Sequence, residues 1–414
     1  MGTVPFSRGR RLVAPAVPGG EVHLEAPPEI ARVVPAGLLM KLLPVVMVVA
    51  VLGMVGLLFA GGGTRNPTAL LFPAMMVISM VGMFAGGGGR GGGQRKAEMN
   101  EDRKDYLRYL GQMRERARTA AAQQRTGLEW VHPDPETLWS IAGTSRMWER
   151  RSTDPDFGHV RVGRGHQRLA TRLVPPPTGP VQELEPISAI ALRRFVRGHS
   201  VVADLPIAIT LRGFAAVGIS GDEQVARSLA RSVLCQLASL HAPDDVLIAA
   251  VTTGEQRRAG WEWLKWLPHC QHPLRTDALG PERLLFTSLA EFEASMDDDL
   301  ATRPRFSRTL TPVEQRHLVV VLDGGAVTGT ERLLVEEGLA GVTLLDLTDC
   351  LGTITTRRGL RLVATAGSLG ARSASGVERF ADPDAMTVVE CEALARTWRP
   401  TGSRSPTPAT ATSR

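Results

Sequence analysis

Two long uncharged stretches near the N-terminus constrain this chain more than any other feature. Residues 42–60 and residues 67–85 contain no charged side chain, and only the six residues GGGTRN lie between them. An α-helix rises about 1.5 Å per residue, so each stretch is long enough to cross the ~30 Å of bilayer hydrocarbon. The pattern therefore predicts a transmembrane helical hairpin over residues 38–85, with spans at 42–60 and 67–85.

The basic residues around these stretches predict their orientation. Those before the pair are Arg8, Arg10, Arg11, Arg32 and Lys41, those after it are Arg90, Arg95, Lys96, Arg103 and Lys104, and the turn holds Arg65. Loops rich in Lys and Arg stay on the cytoplasmic side of a membrane. We therefore expect a multi-pass protein of the inner (plasma) membrane, in contact with the lipid bilayer, with both termini cytoplasmic.

The rest of the chain divides by composition into four segments. We expect residues 1–37 to form a cytosolic N-terminal segment with a short strand near residues 21–25. We expect residues 86–128 to form a Gly-rich hinge followed by a stalk helix. Residues 129–399 carry the periodic apolar patterns of a folded cytosolic domain. Residues 400–414 lack large apolar side chains, which predicts a disordered tail.

The folded domain alternates between strand-like and helix-like patterns. Short apolar runs occur at 213–220, 245–252, 317–323 and 341–347, and helical periodicity occurs at 223–240 and roughly 289–300. Alternation of this kind is typical of α/β folds with a parallel sheet. The predicted fold class is thus a two-helix transmembrane hairpin and a stalk helix, followed by a cytosolic α/β domain resembling a degenerate P-loop NTPase.

A candidate nucleotide site follows from two of these strands. Gly218, Ser220 and Gly221 lie where a phosphate loop belongs, between a buried strand and a helix, and Asp323 ends a strand like a Mg²⁺-binding carboxylate. A working loop reads G-x-x-x-x-G-K-[ST], but no Gly-Lys dipeptide occurs in the chain. Acidic residues at the helix start would also repel phosphate. We expect no catalytic residue and no cofactor here, with weak ATP binding left open.

Other candidate sites are weaker. The four cysteines share no framework spacing, which predicts free thiols in a reducing compartment. His269, Cys270 and His272 could ligate a metal, but a zinc site needs a fourth ligand, so we expect no metal. The net charge of +6 is spread along the chain, and no nucleic-acid partner is expected.

Several motifs together resemble one family. They are EAPPE (25–29), DRKDYLRYL (102–110), HPDP (132–135), RMWER (146–150), WEWLKWLPH (261–269) and TDALG (276–280). These segments, with the hairpin and the Gly-rich break, resemble the N-terminal part of the EccC proteins. EccC proteins are FtsK/SpoIIIE-like membrane ATPases of type VII (ESX) secretion systems. The resemblance covers about residues 20–400, whereas the C-terminal ATPase modules of the family have no counterpart in this chain.

The resemblance carries expectations about function. It implies a membrane-anchoring and assembly portion of a translocation ATPase, without its own catalytic site, in an oligomeric complex with EccB-, EccD- and EccE-type components. The EccC ATPase modules would be separate or downstream partners. The degenerate loop would map to 218–224 and the strand carboxylate to Asp323, whereas Trp261, Trp263 and Trp266 would be core or inter-domain contacts. An unconventional nucleotide hydrolase and an FtsK-like DNA translocase remain alternatives.

Overall fold

The computed structural model describes most of the chain outside the two apolar stretches and the C-terminal tail. The described residues are 4–6, 8–30, 45, 46, 48–50, 52, 53, 56, 57, 60, 74–79, 90–177, 183–307, 315–335, 337–398 and 401–403.

The strands, in chain order, are β1 Val4–Phe6, β2 Glu21–His23, β3 His159–Arg168, β4 Arg172–Val174, β5 Val201–Thr210, β6 Ala216–Gly221, β7 Val246–Thr252, β8 Gln271–Asp277, β9 Gly280–Arg283, β10 Leu285–Phe286, β11 His317–Asp323, β12 Val342–Asp346, β13 Gly359–Thr365, β14 Ser368–Ser373, β15 Gly376–Pro383 and β16 Thr401–Ser403. The helices are α1 Arg90–Val131, α2 Pro186–His199, α3 Glu223–Leu240, α4 Glu255–Ala259, α5 Leu289–Ser295, α6 Asp297–Ala301, α7 Gly352–Arg357 and α8 Val388–Trp398.

The chain divides into two compact units. Unit 1 comprises Met1–Pro18, Ala120–Ala170 and Val201–Arg414, and unit 2 comprises Gly19–Thr119 and Thr171–Ser200.

Unit 1 is built on a mixed sheet of ten strands. Its order is β10-β7-β11-β12-β6-β13-β14-β15-β3-β5. The strands from β10 to β13 are parallel, and those from β13 to β5 are antiparallel. Every residue of β7, β11 and β12 is buried, as expected for parallel strands covered on both faces. The predicted parallel sheet is therefore present from β10 to β13, whereas the half that follows β13 is antiparallel and was not predicted.

The predicted α/β elements around the candidate site are confirmed. The runs at 213–220, 245–252, 317–323 and 341–347 correspond to β6, β7, β11 and β12, and the helix predicted at 223–240 is α3. The helix predicted at 289–300 is divided into α5 and α6. The periodicity of apolar residues predicts these elements correctly because each strand is a continuous apolar run and α3 is strongly amphipathic.

Unit 2 contains the first part of α1, the helix α2 and a small parallel pair of strands. Glu21 and His23 of β2 pair with Arg172 and Val174 of β4. The hydroxyl of Tyr106 donates a hydrogen bond to the carbonyl of Glu25 over 3.0 Å, which ties α1 to the N-terminal segment within this unit.

The structure contradicts the predicted transmembrane hairpin. Among the residues it describes, no helix is both long and apolar enough to cross a membrane. The residues described within 42–60 and 67–85 are 45, 46, 48–50, 52, 53, 56, 57, 60 and 74–79, and all of them are helical. The remainder of both stretches lies outside the described residues. The predicted location, a multi-pass protein of the inner membrane with both termini cytoplasmic, depended on this hairpin. This prediction is therefore contradicted as well.

The predicted tail lies largely outside the described residues as well. Within it, residues 401–403 form β16, which pairs in parallel with β1. Backbone hydrogen bonds can form such a pair without large apolar side chains, so the composition of this segment does not reveal it.

Candidate functional site

The turn between β6 and α3 is a single residue long. β6 ends at Gly221, α3 begins at Glu223, and Asp222 caps the helix. An Asp222 carboxylate oxygen accepts hydrogen bonds from the backbone N–H groups of Gln224 (2.9 Å) and Val225 (3.0 Å). In a phosphate site, these N–H groups at a helix N-terminus face the ligand. Here the protein's own carboxylate occupies that position.

The glycines of the predicted loop differ in what they do. Gly221 has φ of +110°, and a Cβ there would lie 2.3 Å from the carbonyl oxygen of Ala364. The same carbonyl accepts a hydrogen bond from the N–H of Asp222 (2.9 Å), so the turn is fastened to β13. A Cβ at Gly218 would make an ordinary contact of 3.4 Å with Thr355. Gly221 is thus required by close backbone approach, whereas Gly218 is not.

Ser220 is also engaged by the neighbouring strand. Its hydroxyl donates a hydrogen bond to the carbonyl of Leu362 over 3.1 Å. In a working phosphate loop the hydroxyl that binds Mg²⁺ follows the Gly-Lys pair, whereas Ser220 precedes Gly221. The Ser220 hydroxyl therefore serves the junction of β6 and β13 in this structure.

Asp323 ends β11 with a fully buried side chain. Its Oδ2 accepts hydrogen bonds from Nε of Arg227 (2.8 Å) and Nε1 of Trp261 (2.9 Å), and its Oδ1 accepts one from Nη2 of Arg227 (3.1 Å). Nε of Arg257 lies 3.8 Å from Oδ1. A buried carboxylate needs such compensation because removing its hydration is costly.

Arg227 reaches Asp323 from the second turn of α3. Because β12 lies between β6 and β11, this side chain crosses the carboxyl end of one intervening strand. It also pairs with Glu223 one turn back (3.0 Å). Hydrogen bonding to Asp323 raises the pKa of the Arg227 guanidinium above its usual value, against the opposing effect of burial. The positive charge is therefore fixed at the carboxylate.

The residues at this edge do not fit a magnesium-bound nucleotide. The helix N-terminus is capped by Asp222, and the oxygens of Asp323 are bound to Arg227 and Trp261. The four lysines of the chain are at positions 41, 96, 104 and 265, none of them in this turn. Phosphate binding would require displacement of the cap, and metal binding would require rupture of the Arg227–Asp323 pair.

The structure places the predicted site residues in two groups. Gly218, Ser220 and Gly221 lie along β6 against β13, whereas Asp323 lies two strands away on β11. It is Arg227 that connects the two groups, because α3 directly follows the turn. Sequence reasoning missed Arg227, and the available signal was an arginine four residues after Glu223, an acidic residue at the helix start.

Sequence reasoning also missed the role of Trp261. Trp261 and Trp263 are 1% and 2% exposed and belong to the main core, and Trp266 packs against that core from its edge. The core interpretation is therefore confirmed for Trp261 and Trp263. Because Trp261 donates to Asp323, the tryptophan-rich motif also fixes the strand carboxylate.

The histidines considered as metal ligands face backbone carbonyls. Nε2 of His269 lies 2.8 Å from the carbonyl of His241, and Nε2 of His272 lies 2.9 Å from that of Ser295. Burial lowers the pKa of His269 to about 4. Within the described ranges, no group of three or more His, Cys, Asp or Glu side chains could hold a metal ion.

The fold is that of an α/β protein with a mixed ten-stranded sheet, and at the carboxyl edge of its parallel half Asp222 caps a helix and Asp323 is paired with Arg227 and Trp261. No protein-family model matches the chain. The chain is 42% identical over 405 residues to an ESX secretion system protein EccC of Thermomonospora curvata, covering 97% of this chain and 30% of that protein. It is 40% identical over 348 residues to the ESX-4 secretion system protein EccC4 of Mycobacterium tuberculosis, covering 82% and 26%.

A third relative is the ESX-1 secretion system protein EccCa1 of Mycobacterium tuberculosis. It is 37% identical over 354 residues, covering 83% of this chain and 45% of that protein. The chain belongs to the EccC family of ESX secretion system proteins. It spans less than half the length of each of these relatives.

Proposed function

We propose that this chain is a non-catalytic assembly part of an EccC translocation ATPase and supports protein export by a type VII (ESX) secretion system. Its nucleotide fold serves as a rigid structural module, and ATP hydrolysis takes place in other EccC ATPase modules. Its partners in this proposal are those modules and the EccB-, EccD- and EccE-type components of the secretion complex.

The observation that carries the proposal is the pairing of Asp323 with Arg227 and Trp261. Each bond occupies a carboxylate oxygen that a nucleotide hydrolase would turn towards a metal. The single-residue turn supports the same conclusion, because it offers no cradle of free backbone N–H groups to a polyphosphate. Neither feature depends on a ligand, and both consist of the protein's own hydrogen bonds.

The first test measures nucleotide binding and turnover on the purified full chain. Isothermal titration calorimetry with Mg-ATP up to the millimolar range should detect no binding, and phosphate release should equal that of buffer. Asp323→Asn is the matched control, because it removes the candidate metal ligand with little change in side-chain volume. ATP hydrolysis that disappears in Asp323→Asn would contradict the proposal and favour the unconventional hydrolase.

The second test concerns assembly. Tagged full chain co-expressed with the EccB-, EccD- and EccE-type proteins should co-purify with at least one of them. Recovery of the chain alone under these conditions would count against an assembly role. Binding to duplex DNA with a steep salt dependence would instead favour the DNA translocase.

A further inference from the structure

Helix α2 of unit 2 carries a distinctive outer face. Its buried side consists of Ser188, Ala189, Leu192 and Phe195. The opposite side, at spacings of three and four residues, presents Ile187, Ile190, Arg193, Arg194 and Arg197. These five residues are called the α2 face below. The helix contains no acidic residue.

The arginines of the α2 face lack partners within the described part of the chain. Arg193, Arg194 and Arg197 are exposed, and none forms an ion pair or side-chain hydrogen bond with a described residue. Of the exposed arginines on α1 in the same unit, Arg108 and Arg118 pair with Asp105 (2.6 Å) and Glu115 (2.8 Å), whereas Arg114 and Arg116 form no ion pair with a described residue. The α2 face thus concentrates uncompensated positive charge.

More positive charge lies at the C-terminal end of α2. The pKa of His199 is lowered, first by burial and further by the charges of Arg114 and Arg118 on α1. The helix dipole favours a cation in the last turn, which accounts for Arg197, but it does not account for Arg193 or Arg194 in the preceding turns.

The α2 face also exposes two isoleucines. Ile187 is 50% exposed and Ile190 is 48% exposed. Phosphate groups gain little from apolar neighbours, whereas interfaces between proteins combine an apolar centre with a charged rim. The combination of two isoleucines and three arginines fits an acidic protein surface with an apolar centre.

The position of α2 is fixed before any partner binds. The Glu185 carboxylate, itself 3% exposed, accepts hydrogen bonds from the N–H of Ser188 (2.7 Å) and from Nη2 of Arg103 (2.8 Å). These bonds cap α2 and tie it to α1 within unit 2. A fixed face binds with less loss of conformational entropy than a flexible one.

We propose that the α2 face binds an acidic protein surface of another component of the secretion complex. This inference rests on the proposed assembly function and names the surface and the partner chemistry. Charge complementarity guides the encounter, and the isoleucines are buried in the complex.

The test uses the full chain co-expressed with the EccB-, EccD- and EccE-type proteins. The variant Arg193→Glu/Arg194→Glu/Arg197→Glu should reduce the affinity for the co-purifying component by about tenfold or more. The control variant Arg168→Glu/Arg358→Glu/Arg372→Glu makes the same change in net charge at exposed arginines of unit 1 and should retain wild-type affinity. Equal binding by wild type and the α2 variant would overturn the inference while leaving the assembly function intact.

A second variant separates the possible classes of partner. Ile187→Ser/Ile190→Ser keeps every charge and should also weaken protein binding severalfold. Loss of binding to phosphatidylglycerol vesicles or to poly(dT) in the arginine variant, with protein binding unchanged, would overturn the inference in favour of lipid or nucleic acid. Failure of wild-type chain to bind any component would instead count against the proposed function itself.

Discussion

Arg227 and Asp323 form a two-point ion pair at the carboxyl edge of the sheet, with Nε 2.8 Å from Oδ2 and Nη2 3.1 Å from Oδ1. The two residues come from different strand–helix units, and Trp261 joins them from a third segment. These three residues are called the Arg227–Asp323–Trp261 group, and they join three separate segments of the chain.

Removal of Arg227 should be strongly destabilising. Arg227→Ala leaves the Asp323 carboxylate buried with only Trp261 as a close donor, which typically costs about 3–5 kcal/mol in the free energy of unfolding. Urea denaturation followed by circular dichroism measures this loss. The double variant Arg227→Ala/Asp323→Ala should recover part of it, because no unpaired charge remains. A loss below about 1 kcal/mol in Arg227→Ala would show that the pair is not essential to stability.

The glycines of the turn should respond differently to alanine. Gly221→Ala places a Cβ against the Ala364 carbonyl at positive φ and should cost about 2 kcal/mol or more. Gly218→Ala should be nearly neutral, because its Cβ makes an ordinary contact. Thermal unfolding of both variants gives the comparison. Equal effects at the two positions would contradict the geometry of the turn.

Asp222 should matter as a helix cap. Asp222→Ala leaves the N–H groups of Gln224 and Val225 without their acceptor and should lower the free energy of unfolding by about 1 kcal/mol. Asp222→Asn keeps an acceptor oxygen and should retain most of the stability. If phosphate binding appears in Asp222→Ala by calorimetry, the carboxylate is what excludes anions from this helix terminus.

Stability should fall on acidification below neutrality. Burial lowers the pKa of His132 and His317 to about 3 and that of His269 to about 4. Because these values lie below about 6.5 for the unfolded chain, the unfolded state binds protons first. Each histidine therefore removes about 1.4 kcal/mol of stability per pH unit from roughly pH 6.5 downwards, until its folded-state pKa is reached.

The carboxyl group of Asp384 has the opposite effect on the pH dependence of stability. Burial raises the pKa of Asp384 to about 6, so its protonation favours the folded state from about pH 6 down to its ordinary value. The destabilising effect of the three histidines exceeds the stabilising effect of Asp384. The free energy of unfolding should therefore fall as the pH is lowered. Urea unfolding at pH 7.5, 6 and 5 measures it, and His269→Gln should show a shallower loss. Constant stability over this range would refute the prediction.

Sequence periodicity predicted the parallel half of the sheet because each of its strands is a continuous buried run. Every residue of β7, β11 and β12 is buried, and short apolar runs of this kind are typical of strands in a parallel sheet. The antiparallel half was missed because its strands are not continuous buried runs: five of the eight residues of β15 are exposed, and only two of the six residues of β14 are buried. The transmembrane prediction is contradicted because no helix among the described residues is both long and apolar enough to cross a membrane.

The candidate site was predicted only in part, for a physical reason. Gly221 and Asp323 carry local signals, a glycine after a strand and a carboxylate at a strand end. The pairing of Arg227 with Asp323 joins residues 96 positions apart in the sequence. Nothing within either segment reveals that contact, because it depends on how β6, β12 and β11 are ordered in the sheet.

The Arg227–Asp323–Trp261 group has one more consequence. Motor domains change shape when a nucleotide or its metal leaves, because those ligands hold mobile segments together. At this edge of the sheet the contacts to Asp323 come from side chains of the chain itself, so they form without a bound ligand.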